Sequence, residues 1–319
     1  MKNANKVSRS FQHMILLCGC LLIYYSVSAR QHKPTESGYI AQKTQGIDSD
    51  YVLIFNSYSE SAPWCRSLVD STVMDLIKLS PQTMTVTQNL NSGLLRDEKA
   101  LAQLRQQVDV SYHDKPRMII YIGSTSWPFL HETIEKKWGK VPSIIFSDID
   151  YTGPIANLLR KTPIAPALRI PYDKIVKEYE GALSVVYMPI YLRQSLALMH
   201  QLTPPMTELC FISDTRWISA QMRADMAAIT KTDFPELKVR YLISADMSTL
   251  DLLDSLQHYG QETGVLFFSW LKQSQVGDSF VNDSHFRIII SKSARQPLFV
   301  LNDNEVNTDS DVLGGYFPT

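Results

Sequence analysis

The sequence is short of cysteine, of net charge and of the compact signatures that mark most enzymes. Two of its four cysteines lie in the apolar N-terminal stretch, which leaves Cys65 and Cys210 for the rest of the 319 residues. There is no CxxC pair and no Cys/His cluster, so a zinc site is not indicated. Cys65 and Cys210 fall in what read as different lobes, and two separate buried thiols are expected of them. With 31 basic and 32 acidic residues the formal charge is -1, and no run of like charge is long. That balance points away from nucleic acid as a partner. No GxSxG elbow, HExxH, P-loop or GxGxxG after a strand occurs. "FSDID" offers Asp148 and Asp150, but two acids at this spacing are a common turn device. The histidines are scattered singly. No catalytic residue, cofactor or metal is expected from these residues.

What is present begins at the N-terminus. Lys2, Lys6 and Arg9 precede the apolar run "MILLCGCLLIYYSVSA", which ends in small residues at Ala29. This is the order of a secretory signal peptide, and the run is short for a membrane span of about 20 residues. An uncleaved, tilted anchor is the competing reading. Residues 1–29 are therefore expected to export the chain, cleaved or not. Lipidation at Cys20 is disfavoured, because the apolar run continues past it. Residues 30–50 are polar and without periodicity, as a linker would be.

From Tyr51 short apolar runs alternate with amphipathic stretches. "YVLIF", "MTVTQNL", "RMIIYIG" and "SIIFSDI" read as strands, and "WCRSLVDSTVMDLIKL", "DEKALAQLRQQV" and "WPFLHETIEKKW" as the helices between them. Strands buried on both faces and separated by helices predict βαβ units and a mainly parallel sheet. A stretch with three prolines from Tyr151 to Ala167 breaks the rhythm, and a second round follows from "ELCFISD" to "PLFVLND". The expected fold is α/β: two doubly wound, Rossmann-like lobes joined by a hinge, lobe 1 over 51–185 and lobe 2 over 186–311. Residues 312–319 read as the start of a return to lobe 1, cut off before the closing helices.

A polar or aromatic group recurs just past each strand. Ser57, Tyr58 and Trp64 follow "LIFN"; Ser124, Thr125 and Trp127 follow "IIYIG"; Ser147 and Asp148 end or follow "IIFS". In the second round Asp214 and Trp217 follow "CFIS", and Ser269 and Trp270 close "LFFSW". In open α/β sheets ligands bind beyond the carboxyl ends of strands, where hydroxyls and carboxylates supply hydrogen bonds and aromatics supply flat walls. The bland alternative is that the hydroxyls and carboxylates are helix caps and the tryptophans packing residues.

The segments "VLIFNSYSESAPW", "IIYIGSTSW", "PSIIFSDI", "LALMHQLTPPMTELCFISD" and "QPLFVLNDNEV…DVLGGYF" give the chain a family likeness. From Tyr51 onward it resembles the type I periplasmic-binding-protein fold. More narrowly, it resembles the ABC-transporter substrate-binding-like sensor domains of bacterial membrane histidine kinases. The resemblance implies two lobes that close on a small-molecule ligand. Its contacts would fall on Ser57, Tyr58, Trp64, Ser124, Thr125, Ser147, Asp148, Asp214, Trp217, Ser269 and Trp270. The acidic contact expected after "LFFSW" is replaced here by Leu271 and Lys272. The implied function is an exported sensor module of a two-component system, tethered to the inner membrane, whose kinase would lie beyond Thr319. The alternative is the substrate-binding component of an ABC importer. A homodimer is left open, and an exported enzyme is the third reading.

Overall fold

A strand with no polar alternate needs cover on both faces, and Tyr51–Asn56 (β1) is buried at all six positions. The computed structural model, which describes residues 51–59, 63–203, 206–273, 280–281, 286–302 and 312–317, places β1 inside a parallel sheet. Its companions are β2 (Met84–Asn89), β3 (Met118–Ile122), β4 (Ser143–Ser147) and, after the short strands β5 (Tyr151–Thr152) and β6 (Ile170–Pro171), β7 (Leu183–Tyr187). The order is β2-β1-β3-β4-β7, with every neighbouring pair parallel. The edge strand β2 is only half buried, and four of its six residues, Thr85, Thr87, Gln88 and Asn89, are polar.

The second sheet repeats the plan with β8 (Glu208–Ser213), β9 (Lys238–Ile243) and β10 (Thr263–Phe267). After the short antiparallel pair β11 (Lys272–Gln273) and β12 (Phe280–Val281) come β13 (Leu298–Val300) and β14 (Val312–Gly314). Its order is β14-β13-β10-β8-β9, again parallel throughout. The described residues thus form two five-stranded parallel-sheet lobes, the two-lobed α/β architecture predicted from the sequence.

The crossovers are α1 (Pro63–Leu79), α2 (Glu98–Ser111) and α3 (Ser126–Trp138) in lobe 1. Next come α4 (Ile155–Arg160), α5 (Tyr172–Glu178) and α6 (Leu192–Leu202), then α7 (Trp217–Asp233), α8 (Thr249–His258) and α9 (Phe286–Ser293). Helix α2 shows why these segments are helical: Leu101, Leu104 and Val108 bury one face, and the Asp97 side chain caps the start by accepting from Ala100 N at 2.8 Å. Helix α8 opens with a capping box between Ser248 and Asp251. Phe55, Tyr121, Phe211 and Phe299 lie at the centre of one continuous apolar cluster that draws on both lobes. Each such side chain contributes about 1.5–3 kcal/mol by its burial.

Two boundaries differ from expectation. Strand β7 stays in the first sheet to Tyr187, past the expected lobe limit at 185, because its register with β4 runs to Ser147–Tyr187. Val312–Gly314, expected to begin a return to lobe 1, instead pairs with the open edge of β13. Beyond it the chain reaches the start of α6, where Tyr316 N donates to Ser195 Oγ at 3.3 Å and the Tyr316 ring meets Tyr191. The proline-rich break is an ordered excursion of lobe 1. Strands β5 and β6 pair antiparallel at its base, and the segment between them docks on α7. There Ile164 N donates to Gln221 Oε1 at 2.7 Å, and Arg169 pairs with Asp225 at 2.6 Å. Residues 1–29, read as an export segment, and 30–50, read as a linker, lie outside the described residues. Among the described residues no helix is long and apolar enough to cross a membrane.

Candidate functional site

Strand order decides where a parallel sheet opens at its carboxyl edge. In lobe 1 the chain leaves β1 towards β2 on one side and returns to β3 on the other, so the loops after β1 and β3 diverge around a crevice. Those loops carry Ser57, Tyr58 and Gly123–Thr125. In lobe 2 the same reversal falls between β8 and β10, whose loops carry Asp214–Trp217 and Phe268–Leu271.

The lobe 1 loops are tied to one another. Ser57 N donates to Ile122 O and Ser92 N to Ser57 O, both at 2.8 Å, and Asn56 Nδ2 donates to Asn89 Oδ1 at 2.8 Å. Ser92 Oγ and Thr125 Oγ1 share a hydrogen bond of 2.7 Å. Gly123 sits at φ +87°, and a Cβ there would lie 2.7 Å from Ser57 and from the Tyr58 ring. Only glycine lets β3 turn so close under Tyr58.

Between the lobes lies a small, partly open cleft of about 20 Å³, well short of the volume of an open small-molecule site. Lobe 1 lines it with Tyr58, Ser92, Gly93, Ser124 and Thr125. Lobe 2 contributes Arg216, Trp217 and Ile218, and the excursion adds Leu158 and Lys161. Helices α3 and α7 both begin at this wall.

Electrostatics concentrates at one seam. The Tyr58 hydroxyl donates to Asp148 Oδ2, and Ser124 Oγ donates to the same oxygen at 3.2 Å. Burial pushes the Asp148 carboxyl above the usual carboxylate range, although Tyr58, Arg216 and Ser124 all pull it back. Burial, with Asp148 beside it, likewise pushes the Tyr58 phenol well up. From lobe 2 the Arg216 guanidinium lies 5.1 Å from the centre of the Tyr58 ring. Its Nε donates to Asp214 Oδ2 at 2.8 Å, and Asp214 is wholly buried, also accepting from Ser219 Oγ at 2.6 Å and Arg216 N at 2.9 Å. Burial alone would lower Arg216, but Asp214, Tyr58 and Asp148 outweigh it and hold the guanidinium charged. Lys161 is drawn below the usual lysine range by burial and by Arg96, against the opposing pull of Asp214.

The residues singled out from the sequence separate into three groups. Tyr58, Ser124, Thr125 and Trp217 line the cleft together. Asp148 and Asp214 stand behind it, each holding a lining residue, and Ser269 joins Asp214 through Ser219, whose Oγ is 3.2 Å from Ser269 Oγ. Ser57, Ser147 and Trp270 serve the frame. Ser57 Oγ accepts from Ser126 N at 2.8 Å, capping α3 rather than the helix that follows it in sequence. Ser147 Oγ accepts from Ile149 N at 3.3 Å within its own turn. Trp270 is packed in the outer cluster of lobe 2, with Nε1 donating to Thr249 Oγ1 at 3.2 Å. The Trp64 side chain lies outside the described residues. Trp127, also past a strand end, stacks on His131 in the core.

Several lining residues were not anticipated. Ser92 and Gly93 follow β2, a strand end whose polar "NSG" is the same signal as the others. Arg216 sits between two anticipated positions in "DTRW". Lys161 and Leu158 come from the excursion, and no local pattern marks them. Among the described residues no group of three metal-ligating side chains comes together.

No protein-family model matches the chain, and no curated protein matches it. Several solved structures resemble it. A fatty acid ABC transporter substrate-binding protein from Thermomonospora curvata is 10% identical over 79% of this chain, with a TM-score of 0.47. The chain spans 57% of that protein's length. A protein described as a LacI transcriptional regulator from Bacteroides fragilis is 11% identical over 80% of this chain and 78% of its own, with a TM-score of 0.47. The ABC domain in complex with L-Trp from Streptococcus pneumonia is 11% identical over 81% of this chain and 76% of its own, with a TM-score of 0.46.

Proposed function

We propose that the chain is an exported small-molecule-binding protein acting as the substrate-binding component of an ABC importer. The observation that carries the binding reading is the composition of the interlobe cleft, where hydroxyls of lobe 1 face a cation and an indole of lobe 2. Among the described residues the lining offers donors, acceptors and apolar walls, and no arrangement of nucleophile and base. An importer component requires a cleft and an export segment, and residues 1–29 have the order of the second. Ligand bound by both lobes at once favours their approach by its differential affinity for the closed state.

The second reading, a sensor module of a membrane histidine kinase, rests on the motif likeness from Tyr51 onward. The gene neighbourhood and the reading frame downstream of Thr319 distinguish the two. An adjacent permease and ATPase gene support the importer. A downstream apolar span followed by a kinase region overturns it in favour of the sensor.

The binding reading is tested by thermal shift of the full chain against a library of sugars, amino acids, carboxylic acids and amines. At a hundredfold its Kd a ligand adds about 2.7 kcal/mol to stability. A shift that disappears when Gly93→Trp fills the cleft supports the reading. No shift with any compound, or a shift indifferent to Gly93→Trp, removes it.

A further inference from the structure

Among the described residues the chain passes from one sheet to the other once, between β7 and β8. A single crossing leaves a hinge free to bend, so the spacing of the lobes is set by the contacts between them. The cleft they enclose, about 20 Å³, has room for about one water and for no organic molecule.

The excursion and α7 meet in a closed circuit of hydrogen bonds. Ile164 N donates to Gln221 Oε1 at 2.7 Å, Gln221 Nε2 to Asp225 Oδ1 at 3.0 Å, and Arg169 Nη2 to the same oxygen at 2.6 Å. Arg169 Nε returns to Ile164 O at 3.3 Å, which closes the ring. Gln221 is wholly buried and uses both ends of its amide here, and the Ile164 side chain lies in the apolar cluster that draws on both lobes. Hydrogen bonds to an ionised partner are roughly twice as strong as neutral ones, and burial among satisfied groups strengthens them further.

The excursion brings this face to α7 already shaped. Asn157 Nδ2 donates to Thr162 Oγ1 at 3.2 Å and to Pro163 O at 2.9 Å, which fixes the turn after α4. Arg169 is steadied from β5, its guanidinium 4.6 Å from the centre of the Tyr151 ring. At the seam Arg216 also crosses between lobes, over the Tyr58 ring, but its hydrogen bonds go to Asp214 of its own lobe.

We propose that the Ile164–Gln221–Asp225–Arg169 circuit is a clasp that holds the two lobes closed in the ligand-free chain. It concerns the ligand-free molecule, so it stands or falls separately from the reading of the cleft as a binding site. Where that reading holds, the clasp gates entry, and the apparent affinity for a ligand scales with the fraction of molecules unclasped.

The test is the interlobe distance in the full chain without ligand, read by pulsed dipolar spin resonance between labels at Lys99→Cys on α2 and Leu250→Cys on α8. Both positions are exposed and lie in the first turns of helices that follow the carboxyl ends of β2 and β9. Cys65 and Cys210 are buried, and the chain without the added cysteines gives the background. The doubly labelled parent is expected to show one dominant distance. Asp225→Ala takes the shared acceptor from Gln221 and Arg169, and it is expected to raise the ratio of a longer distance to the parental one about tenfold or more. Arg169→Lys keeps the charge, loses the return bond to Ile164, and is expected to shift the ratio in the same direction. Asp233→Ala removes the pair with Arg193 at the far end of α7 and is expected to leave the distance unchanged. Circular dichroism and melting temperatures are the folding control, and Arg169→Lys, the milder change, decides alone if Asp225→Ala does not fold. No longer distance in the clasp variants, an equal shift with Asp233→Ala, or a parent in which a longer distance already dominates each overturn the clasp.

Discussion

Asp148 is held by two donors of its own lobe and still binds its proton more tightly than a free carboxyl, because burial outweighs them. A folded carboxyl raised above its unfolded value of about 3.9 stabilises the fold fully below that value, and the contribution is lost as pH rises through the folded value. The neutral isostere Asp148→Asn lacks this titration. Wild type is therefore expected to lose stability relative to Asp148→Asn as pH is raised from about 4 towards neutrality. Urea midpoints of the two proteins across that range check it, and a constant difference would count against the raised carboxyl. Gly123 is the second residue on which the site turns. Its φ of +87° and the 2.7 Å approach to Ser57 and Tyr58 leave no room for a methyl group. Gly123→Ala is expected to cost about 1–3 kcal/mol in chemical denaturation and to weaken any cleft ligand, since Tyr58 must move. Residue chemistry was partly legible beforehand. Tyr58, Ser124, Thr125 and Trp217 carried the strand-end signal and do line the cleft, whereas Ser57 and Trp270 carried the same signal and serve the frame. A hydroxyl past a strand looks alike in sequence whether it faces a ligand or caps a helix, as Ser57 caps α3 from 69 residues away.

At the scale of elements, the excursion between β5 and β6 ties lobe 1 to α7 of lobe 2. Its backbone is fixed to α7 by Gln221, whose side chain accepts from the buried Ile164 amide and donates to Asp225 at 3.0 Å. The Arg169–Asp225 pair is a second tie, and Trp217 adds a third, donating from Nε1 to Thr162 O at 3.1 Å. Gln221→Ala leaves the Ile164 amide buried without its acceptor and is expected to cost about 1–3 kcal/mol, measured as a fall in the urea midpoint at unchanged slope. An unchanged midpoint would mean that the excursion is not held there. The regular elements were legible because strands and helices write their period into neighbouring residues, as Leu101, Leu104 and Val108 do on α2. The excursion was read only as a break in the rhythm of lobe 1, because proline removes local periodicity. Its order comes from contacts with α7, more than 50 residues further on.

For the whole molecule, the two lobes hold one thiol each in the dark. Cys65 and Cys210 are free and buried, and burial raises both, Cys210 to about 12. Peptide mapping after iodoacetamide treatment is expected to find both unmodified in the native protein and both modified in denaturant. Alkylation of either in the native state would show that its lobe opens. The sequence by itself determined the fold class, the number of lobes and the loops worth examining. Burial patterns and capping residues are local, and they survive without knowledge of neighbours. Tertiary structure decided which of those loops face one another. Strand order puts the crevice beside β1 and β3 in one lobe and beside β8 and β10 in the other, so Asp214 becomes a support and Arg216 a wall. It also brought Lys161 to the cleft from a segment with no pattern of its own. Such placement depends on registers between elements far apart in the chain, and those are fixed only when the two cores pack.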